Sequence, residues 1–174
     1  MNRIVVIGTS GSGKTTFAAA LAMRLGVRHI ELDALHWNPN WVETPVESFL
    51  EKVDAATREA RWVVEGNYSK ARPIIWSRAD TLVWLDYPFL LVISRLLKRT
   101  FLRAFRGDVC CNGNRESWRL AFSRDSIILW AFQTHWRRRR EYSQAMTDPA
   151  HRHLQWLRFR STAIAENWLV QVKP

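Results

Sequence analysis

A short β-branched run at residues 3–7 stops at Gly8, and after four intervening residues come Gly13, Lys14 and Thr15. Beyond them Phe17, Leu21 and Leu25 recur at every fourth position, the spacing of one helix face. The order is strand, glycine loop, helix, which is the context that gives the pattern GxxxxGK[ST] a physical meaning. Glycines let the backbone close around an anion, so that successive N–H groups and the helix N-terminus face it. Gly8, Thr9, Ser10, Gly11, Ser12, Gly13, Lys14, Thr15 and Thr16 are therefore expected to wrap the phosphates of a nucleotide. Lys14 would sit at the β and γ phosphates and the Thr15 hydroxyl on magnesium, so ATP and Mg2+ are the implied cofactors.

The remainder of the chain alternates between the two periodicities. Residues 27–32 read as a second strand that leads into an irregular stretch, 33–42, containing Trp37, Pro39 and Trp41. Thr44, Pro45 and Glu47 read as a hydroxyl cap, a first-turn proline and a capping-box acid, opening a helix to about residue 60. Further strands are expected at 61–65, broken by Gly66 and Asn67, at 81–86 and at 154–159. Helices are expected from Pro88 to the stop at Gly107, from about 125 to 146, and from Ser161 onward. Parallel neighbours need long crossovers, so this alternation predicts an α/β fold. It is expected to be a five-stranded parallel sheet with helices on both faces, in one domain over residues 1–174. Ligands of such sheets sit beyond the carboxyl ends of the strands. Gly8, Asp33, Glu65 and Asp86 fall there and are expected to converge.

Lysine and arginine outnumber acids by ten, which favours anionic partners without choosing among nucleotides, phosphorylated metabolites and nucleic acid. Four apolar residues before Gly8 are too few for a secretory h-region, and the greasiest stretch, 82–93, is cut by Asp86 and Pro88. Cys110 and Cys111 are adjacent, cannot staple distant segments and read as reduced thiols, too few for a zinc site. A cytoplasmic protein with no membrane span is expected. The ten tryptophans read mostly as packing, with a few free to stack on a flat ligand.

Several motifs in order resemble the nucleoside monophosphate kinase group of P-loop proteins. The nearest likeness is to the adenylate-kinase-like proteins labelled topology modulation, or FlaR-like. The matching features are the glycine loop, the run from Leu32 through Asp33, His36 and Trp37 to Pro39 and Trp41, and Val64-Glu65-Gly66-Asn67-Tyr68-Ser69. Ala79-Asp80-Thr81 leading into Leu85-Asp86-Tyr87-Pro88 completes them. The resemblance implies a kinase with a small helical lid, over about residues 107–124. It places Glu65 where adenylate kinases have an acid that holds magnesium through water, and Arg95 and Arg99 where paired arginines meet the nucleotide and its phosphates. Asn67-Tyr68-Ser69 replaces the sequence those enzymes carry around their acceptor nucleotide. Glu31-Leu32-Asp33 resembles the acidic pair of small-metabolite kinases such as shikimate kinase, which makes Asp33 a general base, substrate anchor or further metal ligand. His36, Trp37, Trp41, Asn67 and Tyr68 would line the acceptor pocket, and Arg115 or Arg119 would arrive with the lid.

Two readings follow. The first is an ATP-dependent phosphotransferase acting on a small acceptor, a nucleoside, a nucleotide or a sugar-like molecule. The second is a nucleotide-dependent DNA-binding or topology-modulating regulator, suggested by the charge and by the run Arg137 to Arg140. Four consecutive positions on a helix point all round, so that run reads first as a solvated helix end, with nonspecific phosphate contacts to nucleic acid left open. Nothing in the sequence sets the acceptor or the oligomeric state.

Overall fold

The computed structural model describes residues 1–106, 111–114 and 126–173, the side chains of Arg106 and Cys111 excepted. The chain begins with β1 (Arg3–Gly8), α1 (Lys14–Leu25), β2 (Arg28–Glu31) and α2 (Leu32–His36). A small hairpin of β3 (Trp37–Asn38) and β4 (Val42–Glu43) precedes α3 (Val46–Ala56), β5 (Trp62–Glu65), α4 (Arg72–Arg78) and β6 (Thr81–Leu85). Then come α5 (Phe89–Arg106), α6 (Ile127–Ala145), β7 (Gln155–Phe159) and α7 (Thr162–Gln171).

The five long strands form one parallel sheet in the order β2–β5–β1–β6–β7. Its central strands are apolar at nearly every position because both faces are covered. Val5 and Ile7 of β1 pack with α3, α4 and Tyr142 of α6, whereas Ile4 and Val6 pack with α1, α7 and Val92 of α5. The register levels Val6 with Glu65, Glu65 with Glu31, and Gly8 with Leu85. The residues that follow those positions thus share one rim of the sheet. Among the described residues no helix is long and apolar enough to cross a membrane.

Three local expectations need correction. Thr44 does not cap α3: its hydroxyl donates to the Leu35 carbonyl at 3.1 Å and accepts from Asn38 at 3.1 Å, which pins the hairpin instead. The same helix ends at Ala56, not near residue 60. The Thr57 hydroxyl turns back onto the Val53 carbonyl, and the Trp62 indole donates to the Thr57 carbonyl, so residues 57–61 form a turn that leads into β5. The stretch 33–42 is not irregular throughout, since α2 and the hairpin occupy most of it. The short helix α4, with proline in its first turn, is an element that the sequence pattern does not predict.

Candidate active site

The glycine loop leaves β1 at Gly8 and returns into α1 at Lys14. Its path is tight: Ser12 N–H donates to the Thr9 carbonyl at 3.0 Å, and the Ser12 side chain is buried with its hydroxyl unpaired among the described residues. An unpaired buried donor inside a ring of backbone amides is what an anion-binding loop offers to phosphate oxygens. Gly11 has φ +88, and a Cβ there would stand 2.6 Å from the Val92 carbonyl of α5. Only glycine therefore lets the loop lie on α5, the helix that carries Arg95 and Arg99.

Two side chains hold the root of the loop. Asn67, just past β5, donates to the Gly8 carbonyl at 2.5 Å and accepts from Gly8 N–H at 3.4 Å, extending the β1–β5 ladder by one side-chain rung. The Tyr142 hydroxyl of α6 donates to the same Asn67 oxygen at 3.0 Å. The Thr9 hydroxyl and His135 Nδ1, also of α6, share a buried hydrogen bond of 3.1 Å.

Thr15 donates its hydroxyl to Glu65 Oε1 at 3.0 Å. Burial pushes the Glu65 carboxyl up from its ordinary value, with Lys14 opposing. Burial likewise pushes the Lys14 ammonium down; Glu65 and Asp33 oppose that, and Arg138 and Arg99 add to it. A hydroxyl beside a carboxylate at the mouth of a phosphate loop is a donor pair that fits Mg2+, which takes one or two protein oxygens and completes its shell with water and phosphate. Among the described residues no three His, Cys, Asp or Glu side chains gather into a cage, so an ion here would draw its other ligands from those two sources.

The loop opens onto a cleft of about 1810 Å³. Its walls include Ser10 to Thr16 of the loop, then Asp33, His36, Trp37, Trp41, Asn67 and Tyr68, and finally Arg95 and Arg99. Gly8, Thr9 and Glu65 stand just behind this lining. Asp33 is exposed to the cleft and accepts the Tyr68 hydroxyl at 2.7 Å. His36 packs against the rings of Trp37, Phe49 and Tyr68 at 4.8, 5.2 and 4.6 Å between centroids, and Trp37 meets Trp41 edge-on at 5.5 Å. Arg95 donates to the Thr162 hydroxyl at 3.2 Å and lies over the Tyr87 ring. Arg115, Arg119, Cys110 and most of the segment expected to form a lid lie outside the described residues.

Asp86 does not converge with the others. Its carboxylate is buried against Arg158, at 2.9 and 2.6 Å, and Arg139, at 3.1 Å, and does not line the cleft, although Leu85 and Tyr87 on either side of it do. The four arginines of α6 are likewise not a uniform solvated end. Arg137 pairs with Glu141, which Arg72 also reaches, and Arg139 pairs with Asp86. Arg138 is half-buried in the cleft wall, lies over the Trp130 ring at 5.5 Å and makes no ion pair among the described residues. Burial pushes its guanidinium down from the ordinary value. The sequence held no local signal for Arg138, because its role depends on which neighbours take the available carboxylates.

Residues 4–76 match the family described as ATPase family associated with various cellular activities (AAA). Shikimate kinase from Acinetobacter baumannii, solved in complex with shikimate, superposes with a TM-score of 0.59 at 15% identity, over 98% of this chain and 90% of that one. The chain has a P-loop kinase fold. A gluconokinase from Sinorhizobium meliloti 1021 gives a TM-score of 0.51 at 19% identity, over 98% of this chain and 97% of that one. A sugar kinase from Janibacter sp. HTCC2649 gives 0.53 at 19% identity, over 98% and 93%. In sequence, the uncharacterized protein YqaC of Bacillus subtilis (strain 168) is 29% identical over 115 residues. That match covers 64% of this chain and 64% of YqaC, less than two thirds of the relative's length. The P-loop kinase fold accounts for the strand order and for a cleft at the carboxyl rim of the sheet.

Proposed function

We propose that the protein is an ATP-dependent phosphotransferase that passes the γ-phosphate to a hydroxyl group of a small acceptor. The observation that carries this reading is the continuity of one cleft, from the phosphate loop at Lys14 to a carboxylate, Asp33, set among aromatic walls. The loop amides and Lys14 hold the nucleotide's phosphates, and Glu65 orients the Thr15 hydroxyl. Thr15 and Glu65 would hold Mg2+, which would supply neutralisation of the charge that develops on the phosphate oxygens. Asp33 takes the proton of the acceptor hydroxyl. The acceptor oxygen then bonds to the γ-phosphorus as the bond to the β–γ bridging oxygen breaks, and ADP leaves with that electron pair. Arg99 and Arg138 bear on the phosphoryl group from α5 and α6, while Arg95 holds the nucleotide side. Trp37, Trp41, His36 and Tyr68 form the acceptor wall, and Asn67 ties that wall to the loop through Gly8.

The narrower likeness to FlaR-like, adenylate-kinase-like proteins is supported by the order of the motifs from Asp33 to Pro88. A nucleic-acid reading keeps the net charge as its support, whereas the arginine run divides among separate partners.

The test is a screen of ATP consumption across nucleoside monophosphates, nucleosides and hydroxylated metabolites, with Lys14→Ala as control. Acceptor-stimulated ADP formation by the wild-type protein alone is expected. Calorimetry that detects no binding of magnesium nucleotide at millimolar concentration would overturn the proposal.

A further inference from the structure

The side of α6 that faces away from the cleft carries a second basic recess. Its volume is about 720 Å³, and its walls are Trp136, Arg139, Arg140, Ser143 and Gln144 of α6 with Arg158 of β7. That is room for a ligand of small-metabolite size. Beneath it, Asp86 takes Nε and Nη2 of Arg158 on one carboxylate oxygen and Nε of Arg139 on the other. The Asp86 side chain is 2% exposed, so two guanidinium planes are fixed by a buried anchor. Arg158 is held further by the Trp84 ring, 4.2 Å from its centroid. Each guanidinium keeps N–H donors that the carboxylate does not use. One acid faces three arginines, so the recess holds excess positive charge, and the half-exposed Trp136 gives it a flat wall. Preorganised guanidinium forks suit phosphate oxygens.

We propose that this recess is a second anion seat, for a small phosphate-bearing ligand, separate from the phosphate loop and independent of whether the cleft transfers phosphate. The two sites share α6 as a wall: Arg138 faces the cleft and Arg139 the recess. His135 of the same helix holds Thr9 of the loop at 3.1 Å. Burial holds the His135 imidazole below its ordinary value, with Arg139 adding to the effect and Asp86 opposing it. An anion on Arg139 weakens the positive field at His135, so occupancy of the recess is felt at the hydrogen bond to Thr9.

Isothermal titration calorimetry with inorganic pyrophosphate separates the two sites. The wild-type protein is expected to bind at two, Lys14→Ala to keep the recess site, and Arg139→Gln/Arg140→Gln to keep only the loop site. Recess affinity should fall at least about tenfold in the double variant, the effect of losing one charge-assisted hydrogen bond. Arg140→Gln alone, at an exposed residue with no ion pair among the described residues, should weaken it severalfold without disturbing Asp86. Nuclear magnetic resonance of His135 in Lys14→Ala should record a rise in its pKa on adding pyrophosphate, and none once both arginines are gone. A single binding site, lost in Lys14→Ala, would overturn the proposal. So would a short DNA duplex that displaces pyrophosphate from Lys14→Ala with steep salt dependence and tighter binding, which would assign the recess to nucleic-acid phosphates.

Discussion

Replacing Gly11 by alanine measures how firmly the phosphate loop is seated on α5. At φ +88 an L-residue costs about 1–2 kcal/mol from backbone sterics alone. The added Cβ would also stand 2.6 Å from the Val92 carbonyl oxygen and 3.0 Å from the Leu96 Cβ. The first of these is helix backbone and cannot rotate away, so the loop or α5 must shift, an overpacking cost of about 1–3 kcal/mol. Together these give about 2–5 kcal/mol. In a chain of 174 residues that corresponds to a fall in Tm of roughly 10 °C, at about 2–4 °C per kcal/mol. Gly26→Ala is the internal control. Its φ is +62, but nothing lies within 4 Å of the added Cβ, so only the backbone cost of about 1 kcal/mol applies, roughly 3 °C. Differential scanning calorimetry without nucleotide should therefore rank Gly11→Ala well below Gly26→Ala. Magnesium–ATP binding should weaken only in the former, because only there does the loop move against Arg95 and Arg99. Equal shifts in the two variants would refute the claim that the loop packs on α5.

Glu65→Gln should raise stability in the absence of nucleotide near pH 7, because burial holds the folded pKa above the unfolded one and the ionised carboxylate disfavours the folded state above that pKa. The gain should vanish below the unfolded carboxyl range in urea unfolding, while magnesium affinity falls about 10- to 100-fold. His135→Asn should flatten the pH dependence of stability below pH 6.5. The folded pKa of His135 lies below its unfolded value, so the wild-type protein loses stability as pH falls through that window, at up to about 1.4 kcal/mol per pH unit. His29, also depressed by burial, contributes a parallel loss that the variant keeps, and an unchanged slope in urea unfolding would refute the assignment. Arg138→Met should lower kcat about 10²- to 10³-fold with a much smaller change in the KM for ATP, and Arg138→Lys should recover part of it; steady-state kinetics with the acceptor found in the screen would measure both.

What could be read in the sequence was what depends on neighbours along the chain. The phosphate loop announces itself because its strand, glycines and helix are contiguous, and Glu65 and Asp33 because each stands at the end of a strand. The aromatic wall is similarly local, since Trp37 and Trp41 belong to one hairpin, the first in β3 and the second in its turn. The misses depend on which partner claims a polar group, near or far along the chain, and residue type alone does not settle that. Thr44 carries the residue type of a helix cap, yet Leu35 and Asn38 claim its hydroxyl. Asn67 reads as a pocket residue and does line the cleft, but its amide is also fixed by Gly8 and by Tyr142, 75 residues away.

Asp33 and Asp86 make the same point with identical chemistry. Each follows a parallel strand at the rim where ligands of such sheets bind, and nothing in their flanking residues separates them. The structure sorts them by partner. Asp86 is buried with two guanidiniums on its oxygens, so its charge is neutralised and it fastens β7 to α6. Asp33 faces the cleft, accepts the Tyr68 hydroxyl and forms no ion pair among the described residues, so the fold sets no cation against its carboxylate. The same accounting separates Arg138 from Arg137 and Arg139, which Glu141 and Asp86 occupy. An ionisable group at this rim is free for chemistry to the extent that the surrounding fold has not already matched its charge. By that criterion Asp33 and Arg138, which both line one cleft and both lie within electrostatic reach of Lys14, are the pair on which the phosphoryl-transfer proposal stands.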